Sequence, residues 1–174
     1  MEILFLITLI LLNGINISDP QTGHHNLNLP VSPESIERIE ILRGPAAKTF
    51  GPNAFNGAVN IITGNRYPRH IRASASAGQS GLLNGSLGIS LAHGNFSHFL
   101  NTGHISSDGY IANTDFKQNT LFYQAGLKTQ SGSAGFQAGY SARHFGANSF
   151  YSLKYPDQFE AVHTSFLSLK YETN

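Results

Sequence analysis

From residue 70 onward the chain alternates between apolar and polar positions. "HIRASASAG" sets Ile71, Ala73, Ala75 and Ala77 against Arg72, Ser74 and Ser76, and "LNGSLGISLA" sets Leu83, Leu87, Ile89 and Leu91 against Asn84, Ser86, Gly88 and Ser90. "TLFYQAGLKT", "AGFQAGYSAR" and "HTSFLSLKYE" repeat the pattern, with Leu121, Tyr123 and Leu127, then Phe136 and Tyr140, then Leu167, Leu169 and Tyr171 on one face. Only "FSHFLNTGHIS" is irregular, because Phe96 and Leu100 fall opposite Phe99 and Ile105. A period of two predicts strands. There are about six, of roughly nine to twelve residues, near the length at which a tilted strand crosses a bilayer.

A soluble antiparallel sandwich alternates too, so the connections decide. "GQSGL" is short, and then the tight "HGN" and "QSGS" take turns with the long "SSDGYIANTDFKQN" and "FGANSFYSLKYPDQFEA". Tight turns at one end and long loops at the other are the asymmetry of an outer-membrane barrel. Phe122, Tyr123, Phe145 and Tyr171 stand near strand ends, where interface girdles are expected.

Before residue 64 the chain reads differently. The apolar run at 3–12 is long enough for a signal-peptide core, but Glu2 stands where a basic residue belongs and no small-x-small site follows. It is expected to be a buried strand that turns at Asn13-Gly14. Pro30 and Pro33 interrupt the chain, and Ser32 or Ser35 could cap a short helical turn carrying Glu34 and Glu37. Residues 37–42 alternate as a strand that Gly44-Pro45 ends; "AAKTFG" suits one helical turn closed by Gly51, and "GAVNIIT" suits a second strand. This predicts a small α+β module at 1–65, followed by antiparallel transmembrane strands at 66–174.

Composition narrows the function classes. Charged residues are 12% of 174, the net charge is +1 and no cysteine is present. Scattered Lys and Arg give no nucleic-acid footprint, and the chain has no disulfide framework and no cysteine-based metal site. No apolar run reaches the 18 residues that a membrane helix needs. "GHHN" lacks the spacing of a metallohydrolase, no nucleophile elbow or phosphate loop occurs, and "GQSGLLNGSLG" lies between strands rather than at the start of a helix. No enzyme, cofactor or catalytic residue is expected.

"IERIEILRGPAAKTFGPNAFNGAVNIIT", at 36–63, closely resembles the end of the plug domain of TonB-dependent outer-membrane receptors. The run from Glu37 to Pro45, the Phe50-Gly51 pair and the run Gly57, Val59, Asn60, Ile61, Ile62, Thr63 match the family's pattern. The resemblance implies a plug seated in a barrel of about 22 strands, of which this chain would hold about six as an incomplete barrel. It also implies that the TonB box lies outside this chain, as a fragment not competent for transport by itself. The implied parent is an outer-membrane receptor that takes up a scarce bulky ligand, a metal chelate such as a ferric siderophore, cobalamin or haem. Its partners are then the TonB complex, that ligand and outer-membrane lipid, with no nucleic acid. The alternatives are a stand-alone β-rich surface binding or adhesive protein, or a glycan-importing receptor of the same family.

The resemblance assigns structural places in the plug to Glu40, Gly44, Pro45, Gly51, Gly57 and Asn60. Arg38 and Arg43 match plug arginines that latch onto barrel-wall glutamates, and a guanidinium suits that bidentate pairing. The other reading is an exposed strand arginine paired with Glu37 or Glu40. His24, His25 and Asn26 lie in the implied apical loop and are candidates for facing the ligand, although adjacent side chains on an extended segment point apart. Asp108, Tyr110, Asp115, Tyr151 and Tyr155 lie in the long loops and are further ligand-facing candidates.

Overall fold

Ten strands and one 3₁₀ turn make up the regular structure of residues 8–18, 28–44, 57–64, 69–150 and 154–173, which are those described in this computed structural model. They divide into two units. Met1–Leu29 with Ser35–Arg66 form the first, and Pro30–Glu34 with Tyr67–Asn174 form the second.

The first unit is a four-stranded mixed sheet. β1 (Thr8–Leu12) and β2 (Ile15–Asn16) form a hairpin, β3 (Ile36–Arg43) and β4 (Gly57–Thr63) pair antiparallel, and β1 runs parallel to β4, giving the order β2-β1-β4-β3. β1 is the buried strand its sequence predicts, since Leu9, Ile10, Leu11 and Leu12 are all buried. Leu9, Leu11 and Ala58 form a core against which Leu42 packs. The hairpin turns at Asn13 and Gly14, both at positive φ (51° and 83°), as a tight turn matched to strand twist requires. Instead of a capped α-helical turn, the chain makes a 3₁₀ turn at Pro33–Ser35. The helical turn expected at "AAKTFG" lies outside the described residues.

The second unit holds a six-stranded antiparallel sheet in chain order: β5 (Arg69–Ala77), β6 (Leu83–His93), β7 (Phe96–Ser107), β8 (Phe116–Thr129), β9 (Gly132–Gly146) and β10 (Phe159–Thr173). It is not closed, with β5 and β10 as its edges. The strands run from nine to fifteen residues, longer than predicted, because residues read as loop belong to strands. β8 starts at Phe116, and β9 continues to Gly146. Two connections, 94–95 and 130–131, are tight; those at the other end, 78–82, 108–115 and 147–158, lengthen along the chain.

Polarity is inverted relative to a soluble sheet. Ile71, Leu87, Leu91, Leu100, Leu121, Tyr140, Leu167 and Leu169 are exposed, whereas Ser90, Asn101, Thr120, Gln137 and Ser141 are buried. A sandwich would bury the first set, and a barrel wall turns it toward lipid. The register aligns it in rows, such as Ile71, Ile89, Leu100, Tyr123, Ala138 and Leu167 across all six strands. Four such rows fill the half nearer the tight turns. The next two hold His104, Asn119 and His163, then Ser106, Lys117 and His144, so the long strands continue past the apolar band toward the long loops. The girdle expectation is corrected in part. Tyr123 and Tyr171 face outward, but Phe122 is fully buried and Phe145 shares the inward parity of Gln137 and Ser141.

Two substitutions test these layers. Leu100→Arg, in the middle of the apolar band, is expected to destabilise a closed barrel containing this sheet, folded into vesicles, by about 2–4 kcal/mol in urea unfolding. Gly57→Ala is expected to lower stability by about 1–3 kcal/mol, because φ is +145° and the added Cβ would sit 2.3 Å from the Leu42 carbonyl oxygen.

Candidate functional site

In the first unit the family-like residues converge on Asn60. It sits on β4 facing β3 and the β1–β2 turn, is buried, and uses both ends of its amide. Its Nδ2 donates to Glu40 Oε2 at 2.9 Å, and its Oδ1 accepts from the Gly14 N–H at 2.9 Å. Asn13 completes the clasp: its Nδ2 donates to Thr63 Oγ1 at 2.8 Å, and its Oδ1 accepts from the Thr63 N–H at 2.8 Å. Glu40 also accepts from Arg38 Nε at 2.8 Å, and Arg38 lies 3.6 Å from Glu37. The hydrogen bond from Arg38, then that from Asn60, holds the Glu40 carboxyl below the usual carboxylate range. Gly57 leaves room for the Leu42 carbonyl, and Gly44, at φ 74°, ends β3 with a conformation that other residues rarely adopt. Pro45 and Gly51 lie outside the described residues.

Arg38 is thus held by its strand neighbours. Arg43 is exposed, and its side chain has no partner among the described residues.

The second unit presents a polar face, on which Ser90, Asn101, Thr120, Gln137 and Ser141 are buried. Ser74 and Ser86 share a hydrogen bond at 2.7 Å, Gln118 Nε2 donates to Ser141 Oγ at 3.3 Å, and Arg143 Nε donates to Gln118 Oε1 at 3.1 Å. Among these polar groups Phe122 meets Phe99 edge-on and stacks on Phe166, with centroids 6.2 and 6.1 Å away. The segment Pro30–Glu34 is fastened to this face at three points. Ser32 Oγ donates to Asn101 Oδ1 at 2.8 Å, and both residues are buried. Asn84 Nδ2 donates to Glu34 Oε1 at 3.2 Å, while Arg72 Nη1 donates to the Glu34 carbonyl at 3.4 Å. Pro30 lies over Gly139, where a Cβ would come within 3.1 Å of its ring and 2.3 Å of Phe166.

The sequence suggests Ser32 or Ser35 as a helix cap and does not single out Asn101. The irregular alternation of "FSHFLNTGHIS" was the available signal. Phe99 and Asn101 face inward there while Phe96 and Leu100 face outward.

At the long-loop end, 108–115 and 147–158 are knitted together. Asn113 Nδ2 donates to the Pro156 and Gln158 carbonyls at 2.8 and 2.7 Å, and Asn148 Nδ2 donates to the Ala112 carbonyl at 2.7 Å. Asp108 docks against loop 78–82, its N–H donating to the Ser80 carbonyl at 2.8 Å. Tyr110 is 84% exposed and Tyr155 54%, the latter beneath the Lys154 ammonium at 5.4 Å. Asp115 is exposed at the mouth of β8. His24, His25, Asn26 and Tyr151 lie outside the described residues. Among those described, no group of three His, Asp or Glu could hold a metal ion.

Residues 7–58 match the TonB-dependent Receptor Plug Domain family. That match, together with the antiparallel sheet that follows it in the chain, supports a TonB-dependent receptor fragment. It is 67% identical over 33 residues to the ferrienterobactin receptor of Escherichia coli K12, an alignment covering 19% of this chain and 4% of that protein. It is 33% identical over 88 residues to the vitamin B12 transporter BtuB of Photobacterium profundum, covering 49% and 14%. The siderophore receptor PirA of Pseudomonas aeruginosa superposes with a TM-score of 0.70 at 24% identity, over 95% of this chain and 29% of that one. The copper transporter OprC gives 0.72 at 16%, over 94% and 26%. Both structures share the fold, and the alignments to curated relatives span no more than 14% of those relatives' lengths.

Asn60→Leu strands the Gly14 N–H and removes a donor from Glu40, and is expected to destabilise the first unit by about 1–3 kcal/mol in denaturant unfolding. Because the folded Glu40 carboxyl is more acidic than the unfolded one, its contribution is full above the unfolded value of about 4.3 and fades as pH falls through the folded value. Glu40→Gln is therefore expected to flatten the stability profile below about pH 5 and leave its slope near pH 8 unchanged.

Proposed function

We propose that this chain serves energy-coupled uptake across the outer membrane, as a part of a receptor that captures a scarce bulky ligand of the ferric siderophore, cobalamin or haem class. The observation that carries this reading is the Asn60-centred plug clasp followed by a sheet with an apolar outer face. A binding or adhesive protein has no need of the first, and a soluble one has no use for the second. The names of its relatives, which include ferric enterobactin receptors and vitamin B12 transporters, support the same ligand class.

In this reading residues 1–65 belong to the plug and 66–174 to the barrel wall. Energy comes from the TonB complex acting on the whole receptor, and the chain alone does not transport. Arg43, exposed and unpartnered among the described residues, is the better latch for a wall carboxylate, since Arg38 is already engaged by Glu40. Asp108, Tyr110, Asp115 and Tyr155 lie on the side from which ligand arrives, with Tyr110 and Tyr155 offering exposed rings to an apolar chelate. His24, His25, Asn26 and Tyr151 are kept as candidates on sequence position alone.

The test is accumulation of radiolabelled ferric enterobactin, cyanocobalamin and haem in cells that carry the intact locus containing this stretch, beside a locus deletion and a TonB-deficient strain. Accumulation of one probe, lost in both controls, is the expected result. Equal accumulation of all three in every strain would sink the proposal. With the transported probe, Tyr110→Ala is expected to weaken binding by about tenfold, the loss of one buried aromatic contact.

A further inference from the structure

Past the apolar rows, toward the long loops, the outward face of the sheet gathers a lysine and several imidazoles. Lys117 on β8 stands directly opposite His144 on β9, a pairing that sets their Cβ atoms about 5 Å apart. The His144 ring meets that of His163 on β10 edge to face, with centroids 5.5 Å apart. His163 Nδ1 lies 2.9 Å from the Tyr140 hydroxyl. When that hydroxyl donates, the imidazole proton stays on Nε2 and leaves an N–H donor on the far side of the ring.

Among the described residues no carboxylate is paired with these groups. Lys117 and His163 are exposed, and Lys117 forms no ion pair. The Asp108 carboxylate lies against Gly81 in loop 78–82, and Glu160 of β10 alternates to the inner face. Asp115 is exposed in the connection before β8 and makes no ion pair with Lys117. On the side nearer the tight turns the adjoining row exposes Leu87, Leu121 and Tyr140. An occupant that satisfies both zones carries an anionic head and apolar tails. A free anion on this open face would keep its water and gain little, whereas tails against the apolar rows hold a headgroup at this level.

We propose that Lys117, His144 and His163 form a binding site for the anionic phosphate headgroup of a membrane lipid. The phosphate oxygens accept from the Lys117 ammonium, the His144 ring and His163 Nε2, and the acyl chains lie along the rows of Leu121 and Leu100. The site rests on the outward apolar face and not on the uptake reading, so failure of that reading leaves it untouched.

The test uses a closed barrel containing this sheet, held in a neutral detergent, titrated with dioleoylphosphatidic acid and followed by native mass spectrometry. One tightly retained lipid is expected, with dioleoylglycerol, which has the tails and no phosphate, not retained. Lys117→Gln is expected to weaken retention about fivefold, the contribution of one basic side chain at a membrane surface. His144→Gln is expected to weaken it by a smaller factor. Lys154→Gln, which removes a charge from a loop and not from this face, is expected to leave it unchanged. Each variant is expected to keep the heat-modifiable mobility of a folded barrel, which separates lost binding from lost folding. Equal retention of the two lipids by the native barrel would overturn the proposal, as would an affinity unchanged in Lys117→Gln or lowered as much in Lys154→Gln. Displacement of the lipid by millimolar inorganic phosphate would overturn it too, by assigning the groups to a soluble anion.

Discussion

A strand in lipid must satisfy its backbone from its neighbours, because no water is present to do so. That constraint organises the second unit. Each strand from β5 to β10 pairs with the next along nearly its whole length, in chain order and without crossovers. Lipid also requires an apolar outer surface, so the alternation that a soluble sheet would turn inward is turned outward here. The polar residues left inside then need partners, and they find them in one another, as Ser74 does in Ser86 and Arg143 in Gln118.

The same rule explains why the Pro30–Glu34 segment sits so firmly. A polar inner face offers donors and acceptors rather than a greasy surface, so a segment resting on it is held by directed bonds. Ser32 donates to Asn101 Oδ1 from both its hydroxyl and its N–H where both residues are buried, so the segment is held at this point by two directed bonds. The proline ring and the aromatic trio add apolar contact at one spot, where glycine at 139 makes the approach possible. Directed polar bonds of this kind fix position strongly and can be exchanged for water when the face is wetted.

The first unit uses a different economy of contacts. A four-stranded sheet with few core residues gains its definition from one asparagine. Asn60 ties β4 to the β1–β2 turn and to Glu40 on β3, so three strands are set in register by a single side chain. The family-like string of residues at 36–63 is thus a set of mutually dependent contacts: a carboxylate for the amide, a glycine for a close carbonyl, and a threonine for Asn13.

The sequence by itself determined the strands, because a period of two over nine or more residues has few other solutions. It also determined the Asn13-Gly14 turn, the alternation of tight and long connections, and the resemblance to the plug family, through the run of residues at 36–63. Periodicity is symmetric between the two faces, however, and says nothing of which one meets lipid. Only the tertiary structure decided that Leu100 points out and Asn101 in, and that Phe122 is buried rather than part of a girdle. The strand ends also moved, because ladder pairing extends β8 and β9 through residues whose local composition reads as loop. What the sequence could least show were the pairings made across distance. Ser32 and Asn101 are 69 residues apart, and Glu34 meets Asn84 and Arg72 only when the chain folds back over the sheet. Such contacts depend on where two segments meet in space, and neither segment carries a local pattern that records it.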